Sequence, residues 1–467
     1  MLRSEETICA PATAAGSAIS IIRVSGSQSL SICDRIFLPL DKGVKLIDQK
    51  GFTIFFGDIR SGNEIIDEVL VSVFRSPHSY TGENSVEISC HGSPYIIRRI
   101  LELLILNGAI SAKPGEFTQR AFLNGRIDLL QAEAVADIVA STTSSAHRVA
   151  INQMRGGFSS EIVRLRSELL NFASLIELEL DFGEEDFEFA DRKELKAIII
   201  NVKELADRLA ISFLLGNIVK NGIPVAIVGK PNSGKSTLLN ALLTEEKAIV
   251  SEIPGTTRDT IEDTIVIDGI EYRFIDTAGL RETTDVIEAL GIKKTHEKIS
   301  QASVILLVDD IYDSSESINE RADVIREMIT GSEKRLFILI NKTDQASPEQ
   351  QSEIAGMIRL GDEDTLLFIS AKEGSGLDEL RLKLSDVVVK EKLNSDSVII
   401  TNIRHYEALI NVSESLDRVL SGLDNNIPED FIAIDIRQAI HWLGEITGEI
   451  TSDEILGNIF RNFCIGK

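Results

Sequence analysis

Residues 229–236 read Gly-Lys-Pro-Asn-Ser-Gly-Lys-Ser, and Asn341-Lys342-Thr343-Asp344 stand further along the chain. The first pattern wraps a phosphate group and the second reads a guanine base. Together they restrict the fold. A strand must deliver the chain into the glycine-rich turn and a helix must leave it, because backbone N–H groups and a helix N-terminus make the anion cradle. Val225–Gly229 supplies the strand, and Leu238, Leu239 and Leu242 mark the apolar face of the helix. The interval between the two patterns fits one GTP-binding α/β domain, which uses about a third of the chain.

The remaining motifs complete a GTP site in the expected order. Lys235 reaches β and γ oxygens and Ser236 ligates magnesium. Asp276-Thr277-Ala278-Gly279 follows a strand. Asp276 would hold the metal through water and the Gly279 amide would sense the γ-phosphate. Thr257, in Gly255-Thr256-Thr257-Arg258-Asp259, is the candidate switch I threonine, whose hydroxyl and carbonyl could close over magnesium and the attacking water. Asp344 accepts from the guanine N1–H and amine, which adenine does not offer. Ser370-Ala371-Lys372 closes the base pocket. The candidate GTP-binding set is Asn232, Ser233, Gly234, Lys235, Ser236, Thr237, Thr256, Gly279, Asn341, Lys342, Asp344, Ser370, Ala371 and Lys372. One position departs from the Ras-like pattern. Leu280 stands where a water-orienting glutamine is expected, and an apolar side chain cannot orient water. Glu288 is the nearby acidic group, either as the catalytic replacement or as an exposed helix glutamate.

The rest of the 467 residues divides into three segments. Residues 1–121 mix strand patterns (Ser17–Val24, Thr53–Ile59, Glu68–Phe74, Ser85–Ser89) with helical spacing over Tyr95–Leu106, an α+β domain. Residues 122–221 turn helical, with Ile162, Leu165, Leu169, Phe172, Ile176 and Leu180 on one stripe. The acidic run Glu184–Glu188 reads as a solvated turn or a metal site. Residues 222–388 form the GTPase domain, and residues 389–467 are helical again, with a stripe of Tyr406, Leu409, Val412, Leu416 and Val419. Neither helical segment carries a complete core, so one discontinuous helical domain interrupted by the GTPase domain is expected. Asp268-Gly269 between two apolar runs predicts a tight hairpin and one antiparallel edge strand.

Net charge is −25, so a basic RNA-binding surface of the usual kind is not expected. Cys9, Cys33, Cys90 and Cys464 have neither disulfide nor metal spacing. No signal pattern or membrane-length apolar run is present, and a cytoplasmic protein without membrane contact is expected.

Asn232 within the phosphate loop, Gly255-Thr256-Thr257-Arg258-Asp259 and Asp276-Thr277-Ala278-Gly279-Leu280-Arg281-Glu282 resemble the potassium-dependent TrmE-Era-EngA-like GTPases. Lys113-Pro114-Gly115-Glu116-Phe117-Thr118-Gln119-Arg120-Ala121-Phe122-Leu123-Asn124, Gln131-Ala132-Glu133-Ala134 and the terminal Phe463-Cys464-Ile465-Gly466-Lys467 resemble the tRNA-modifying TrmE branch over the whole chain. The resemblance implies an N-terminal folate-binding-like domain, a discontinuous α-helical domain and an inserted Ras-like P-loop domain. It implies a homodimer that works on tRNA with an FAD-containing partner, MnmG (GidA). The implied reaction adds a carboxymethylaminomethyl or aminomethyl group to C5 of the wobble uridine. A 5-formyl or 5,10-methylene tetrahydrofolate supplies the carbon. Potassium is implied at Asn232, Ser251, Ile253 and Thr256, and water positioning at Glu288. Folate contacts are implied at Arg23, Glu87, Arg126 and Lys467. Cys464 has two readings, a buried small residue or a reactive thiol near the folate. Two other functional readings are a ribosome-assembly GTPase switch without modification chemistry and a GTP-regulated folate carrier.

Overall fold

The computed structural model describes residues 6–14, 16–41, 43–181, 192–246, 263–275, 296, 298–331, 334–387, 399–425, 427–451, 453–461, 463 and 466. The chain falls into two compact units. One comprises Met1–Ala140, Ala150–Ala210 and Ile403–Lys467, the other Ser141–Val149 and Ile211–Asn402.

The first unit holds a mixed sheet built from β1 (Ile8–Pro11), β2 (Ile19–Ser25), β3 (Phe37–Pro39), β4 (Thr53–Ser61), β5 (Glu64–Phe74), β6 (Ser85–His91) and β7 (Ile110–Ser111). Their spatial order is β3-β4-β5-β6-β2-β1-β7. Burial alternates along β2, β5 and β6, as a sheet with one covered face requires. Val24, Val71, Val73, Val86 and Ile88 join residues of α1 (Ser29–Ile36) and α2 (Pro94–Leu106), including Ile32 and Leu104, in one core. α3 (Glu116–Leu123) follows β7.

The helices of this unit include α4 (Leu129–Ala140), α6 (Gly157–Asp181), α12 (Ile403–Asp424), α13 (Glu429–Thr447) and α14 (Asp453–Arg461). α5 (Ser144–Met154) and α7 (Arg192–Asn221) run across the division between units. Asp128 and Gln131 cap α4 reciprocally, with each backbone N–H donating to the other side chain at 3.0 and 2.8 Å. Ile162, Leu165, Leu169, Phe172 and Ile176 are buried along α6, as their spacing predicts. On α12 the stripe Leu409, Val412, Leu416 and Val419 is buried. Tyr406 is only half-buried, and the neighbouring His405 takes the interior position instead.

The second unit is a sheet of order β13-β12-β11-β8-β10-β9 flanked by helices. Its elements are β8 (Ile223–Val228), α8 (Lys235–Glu246), β9 (Asp263–Ile267), β10 (Ile270–Phe274), β11 (Val304–Asp310), α9 (Ser315–Ile329), β12 (Arg335–Asn341), α10 (Pro348–Met357), β13 (Thr365–Phe368) and α11 (Leu377–Asp386). All pairs are parallel except β9 with β10. Asp268 and Gly269 turn that hairpin with positive φ at both residues, the mirror turn that suits a right-twisted ribbon. The expected antiparallel edge strand is therefore β9. The central strands are near-continuous apolar runs, since helices bury both faces. β8, β11, β12 and β13 end on one edge, and the loops leaving that edge carry the polar motifs, where open α/β sheets bind ligands.

Candidate functional site

The phosphate loop runs from Gly229 at the end of β8 to Lys235 at the start of α8. Its conformation depends on small residues. Gly234 has φ 99°, and an added Cβ would lie 2.1 Å from Asn341 Nδ2. Asn232 also has positive φ, 64°. Lys235 Nζ donates to Gly229 O at 2.9 Å and Lys230 O at 2.5 Å, so its ammonium is held over the loop. Burial lowers its pKa, Lys298 lowers it further, and Asp309 opposes both. A desolvated cation aimed at an anion cradle is worth more there than in water. Ser236 and Thr237 stand in the first turn of α8, the helix end whose dipole favours an anion.

The base side is built from the ends of β12 and β13. Asn341 is buried and bonds twice. Its Nδ2 donates to Ser233 O at 2.8 Å, and its Oδ1 accepts from Ala371 N at 3.0 Å. One side chain thus joins the phosphate loop to the base loop. Ser370 Oγ donates to Asp344 Oδ1 at 2.6 Å and accepts from Glu373 N at 3.2 Å. The Ser370 hydroxyl is the main cause of Asp344 being held below the usual carboxylate pKa. Asp344 stays ionised, as a carboxylate that must accept two hydrogen bonds requires. A cavity of about 250 Å3 lies between these groups, lined by Gly234, Thr237, Asn341, Lys342, Asp344, Gln345, Ser370, Ala371 and Lys372. Motif reading anticipated each of these except Gln345. Ser251, Ile253, Thr256, Thr257, Asp276, Gly279 and Glu288 lie outside the described residues, as does the acidic run Glu184–Glu188.

A second polar site lies in the first unit. Arg23 of β2 and Glu87 of β6 are direct cross-strand partners, with Arg23 Nε donating to Glu87 Oε1 at 2.9 Å. The Arg23 guanidinium stacks over Tyr80 at 4.9 Å and Phe117 at 5.6 Å. Tyr80 is fixed by a 2.8 Å hydrogen bond between its hydroxyl and that of Thr118. Arg126 is exposed in the turn after α3, and its Cγ would meet a Cβ at Gly82 at 3.1 Å. The loop holding Tyr80 and Gly82 therefore lies against both arginines. Arg120 braces that loop through Glu83 at 3.1 Å and is itself held by Glu116 at 3.1 Å. Gly466 has φ 96° and packs on Pro11, where an added Cβ would come 2.0 Å from the carbonyl oxygen. Pro11 follows Ala10, the cross-strand partner of Arg23. Lys467 and Cys464 lie outside the described residues. Sequence reading missed Tyr80, Phe117 and Thr118. Phe117 and Thr118 lay in the 113–124 motif, used there as a family marker, and Tyr80 carried no signal.

Among the described residues, no helix is long and apolar enough to cross a membrane. Residues 129–464 match the family model of the MnmE helical domain, and residues 7–126 that of the GTP-binding protein TrmE N-terminus. The tRNA modification GTPase MnmE of Bacteroides thetaiotaomicron is 52% identical over 99% of this chain and 100% of its own length. That of Flavobacterium psychrophilum is 51% identical over 99% of both. A crystal structure of Era with MgGDPNP and a segment of 16S ribosomal RNA shares 29% identity over 41% of this chain and 66% of that one, with TM-score 0.25.

Proposed function

The chain belongs to the MnmE family of tRNA modification GTPases, and from that premise we propose that its GTP hydrolysis drives transfer of a tetrahydrofolate-derived carbon to C5 of the wobble uridine of tRNA, giving a carboxymethylaminomethyl or aminomethyl group. The observation that carries the nucleotide half is Asn341, whose two hydrogen bonds tie a phosphate loop to a guanine-reading loop. The folate half rests on Arg23 and Glu87. Each is about one-fifth exposed, so the pair offers both a donor and an acceptor edge at the surface. Such an edge suits the amino edge of a pterin ring or a glutamate carboxylate.

Each residue then has a role. Asn232, Ser233, Gly234, Lys235, Ser236, Thr237, Thr256 and Gly279 hold phosphates. Asn341, Lys342, Asp344, Ser370, Ala371 and Lys372 hold guanine. Ser236 offers its hydroxyl at the first turn of α8, and with Thr257 and Asp276 it would hold magnesium, which neutralises phosphate charge when bound. Asn232, with Ser251, Ile253 and Thr256, would hold potassium, a cation in the place of an arginine finger. Glu288 orients the attacking water. Arg23, Glu87, Arg126 and Lys467 hold the folate, and Cys464 is either a buried small side chain or a thiol facing it.

The proposed domain organisation is 1–121 folate-binding and dimerisation, 122–221 and 389–467 helical, and 222–388 GTPase. Homodimerisation is supported by an apolar row on the uncovered sheet face. Phe56 and Leu70 face each other across β4 and β5, Leu40 N donates to Phe56 O, and all three side chains are exposed, Leu40 most of all. An FAD-containing MnmG partner and a cytoplasmic location complete the reading. The test is nucleoside mass spectrometry of tRNA from cells lacking this gene. The modified uridine should vanish, and return with the intact gene but not with Asp276→Ala. Persistence of the modified uridine would instead favour a switch without modification chemistry.

A further inference from the structure

A second layer of charge adjoins the nucleotide cavity, in which a segment outside the motifs meets Lys230 and Lys342 from within them. β11 ends in Asp309 and Asp310, and Asp313 follows before α9. Three carboxylates of this short segment meet three cations from three different elements. Lys342 Nζ donates to Asp310 Oδ2 at 2.5 Å. Lys230 Nζ donates to Asp313 Oδ1 at 3.0 Å. Arg321 of α9 bridges the other two, 2.7 Å from Asp309 Oδ1 and 3.2 Å from Asp313 Oδ2. The backbone joins as well, with Ile311 N donating to Asn341 O at 3.0 Å.

Lys230 belongs to the phosphate loop and Lys342 to the base loop. One segment therefore grips both halves of the site. Three negative charges face three positive ones, so the layer adds little net field and has little use as an attractor of phosphate. Its effect is positional. Lys342 sits at φ 67°, an uncommon conformation for a residue with a side chain, and Asp310 holds it there. Asp309 is fully buried, and its Oδ2 makes no hydrogen bond among the described residues. Burial pushes its carboxyl pKa up, against the pull of Arg321. A buried carboxylate with one idle oxygen is a costly way to brace a turn.

We propose that the Asp309–Asp313 segment is a positioning clamp that couples the base loop to the phosphate loop and sets how fast guanine nucleotide leaves. Its residues act through Lys230 and Lys342 and do not touch the nucleotide. The inference rests on the cavity being the guanine site.

The test uses the full-length protein and stopped-flow release of fluorescent GDP and IDP. Asp313→Asn frees Lys230, and GDP release should quicken about three- to fivefold, as for a half-exposed ion pair, with the GDP-over-IDP preference unchanged. Asp310→Asn frees Lys342, and release should quicken by a similar factor while the preference for GDP narrows. The double variant should release GDP more slowly than the product of the two factors, because both act on one element. Unchanged release in both single variants overturns the clamp. So does a fall in the melting temperature of the nucleotide-free protein with an unaltered GDP-to-IDP ratio in Asp310→Asn, which marks a structural brace alone. Asp344→Asn checks the cavity itself, since its amide should favour xanthosine diphosphate. If that change has no effect, the guanine assignment fails and the clamp is not the cause.

Discussion

Glu133→Gln should unfold the helical part of the first unit far more readily than the size of the change suggests. Glu133 lies on α4 and is mostly covered against the start of α12, with about one-tenth of its side chain exposed. Its Oε1 accepts from Arg404 Nη2 at 3.2 Å, and its Oε2 lies 2.6 Å from His405 Nε2. Arg404 also donates to Glu445 O at 2.6 Å and Ile446 O at 3.3 Å, which brings in α13. Burial alone would raise the Glu133 pKa, but His405 and Arg404 outweigh it and hold the carboxyl at about 2 against an ordinary 4.5. At about 1.4 kcal/mol per pH unit that difference corresponds to roughly 3–4 kcal/mol. Removing one member of a buried ion pair costs about 3–5 kcal/mol by an independent route, so the two scales agree.

The sign follows from the depressed pKa. The contribution is complete above pH 4.5 and is lost as the pH falls towards 2. The chain has one tryptophan, Trp442, on α13 beside the Arg404 acceptors, so its fluorescence reports this region selectively. In urea at pH 7 the Trp442 transition of Glu133→Gln should move down by about 1 M, for an m-value of about 3 kcal/mol/M. The gap between wild type and variant should close between pH 4.5 and 2. A shift below about 0.3 M at pH 7, or a gap that stays constant with pH, would refute the assignment of this energy to Glu133.

Asn341→Ala removes two buried hydrogen bonds, worth about 2 kcal/mol together, and should weaken GDP binding roughly thirtyfold by equilibrium titration. A loss under about threefold would mean that the two loops are joined by other contacts. If Asn232 holds potassium, GTP hydrolysis should run faster in potassium than in sodium at equal ionic strength, and equal rates would remove that site. Gly466→Ala puts a Cβ against Pro11 O and should depress wobble-uridine modification while GTP hydrolysis stays within about twofold of wild type. Full modification in that variant would separate the docked terminus from the chemistry.

What could be read from the sequence follows the physics of each element. The phosphate and guanine loops demand particular residue types at fixed spacing, so Gly234, Lys235, Asn341 and Asp344 stand out before any fold is known. The central strands of the second unit are continuous apolar runs and read as such. β1 and β7 are too short to show a period, and α3 hides because Glu116, Phe117, Thr118, Arg120 and Ala121 are all buried. On α12 the stripe drew attention to Tyr406 when His405 was the interior residue, because its partner Glu133 lies 271 positions away along the chain from the neighbouring Arg404. Arg23 and Glu87 came only from the family resemblance. Their pairing depends on β2 lying beside β6, a register that no local pattern encodes.

The long separation between Glu133 and Arg404 has a physical remedy within the chain. Ile400 N donates to Ser212 Oγ at 3.2 Å across 188 positions. The segment between them therefore leaves and returns through one point. Once that contact forms, the loop closed by Glu133 and Arg404 shrinks from 271 residues to roughly 80, which lowers its closure entropy by about 1 kcal/mol. An insertion between adjacent points is the kind a host tolerates. Replacing residues 213–399 with a short glycine-serine linker should accordingly leave the Trp442 transition cooperative and within about 1 kcal/mol of the parent. If the transition instead broadened or disappeared, the helical part would depend on the inserted segment for more than the closeness of its ends.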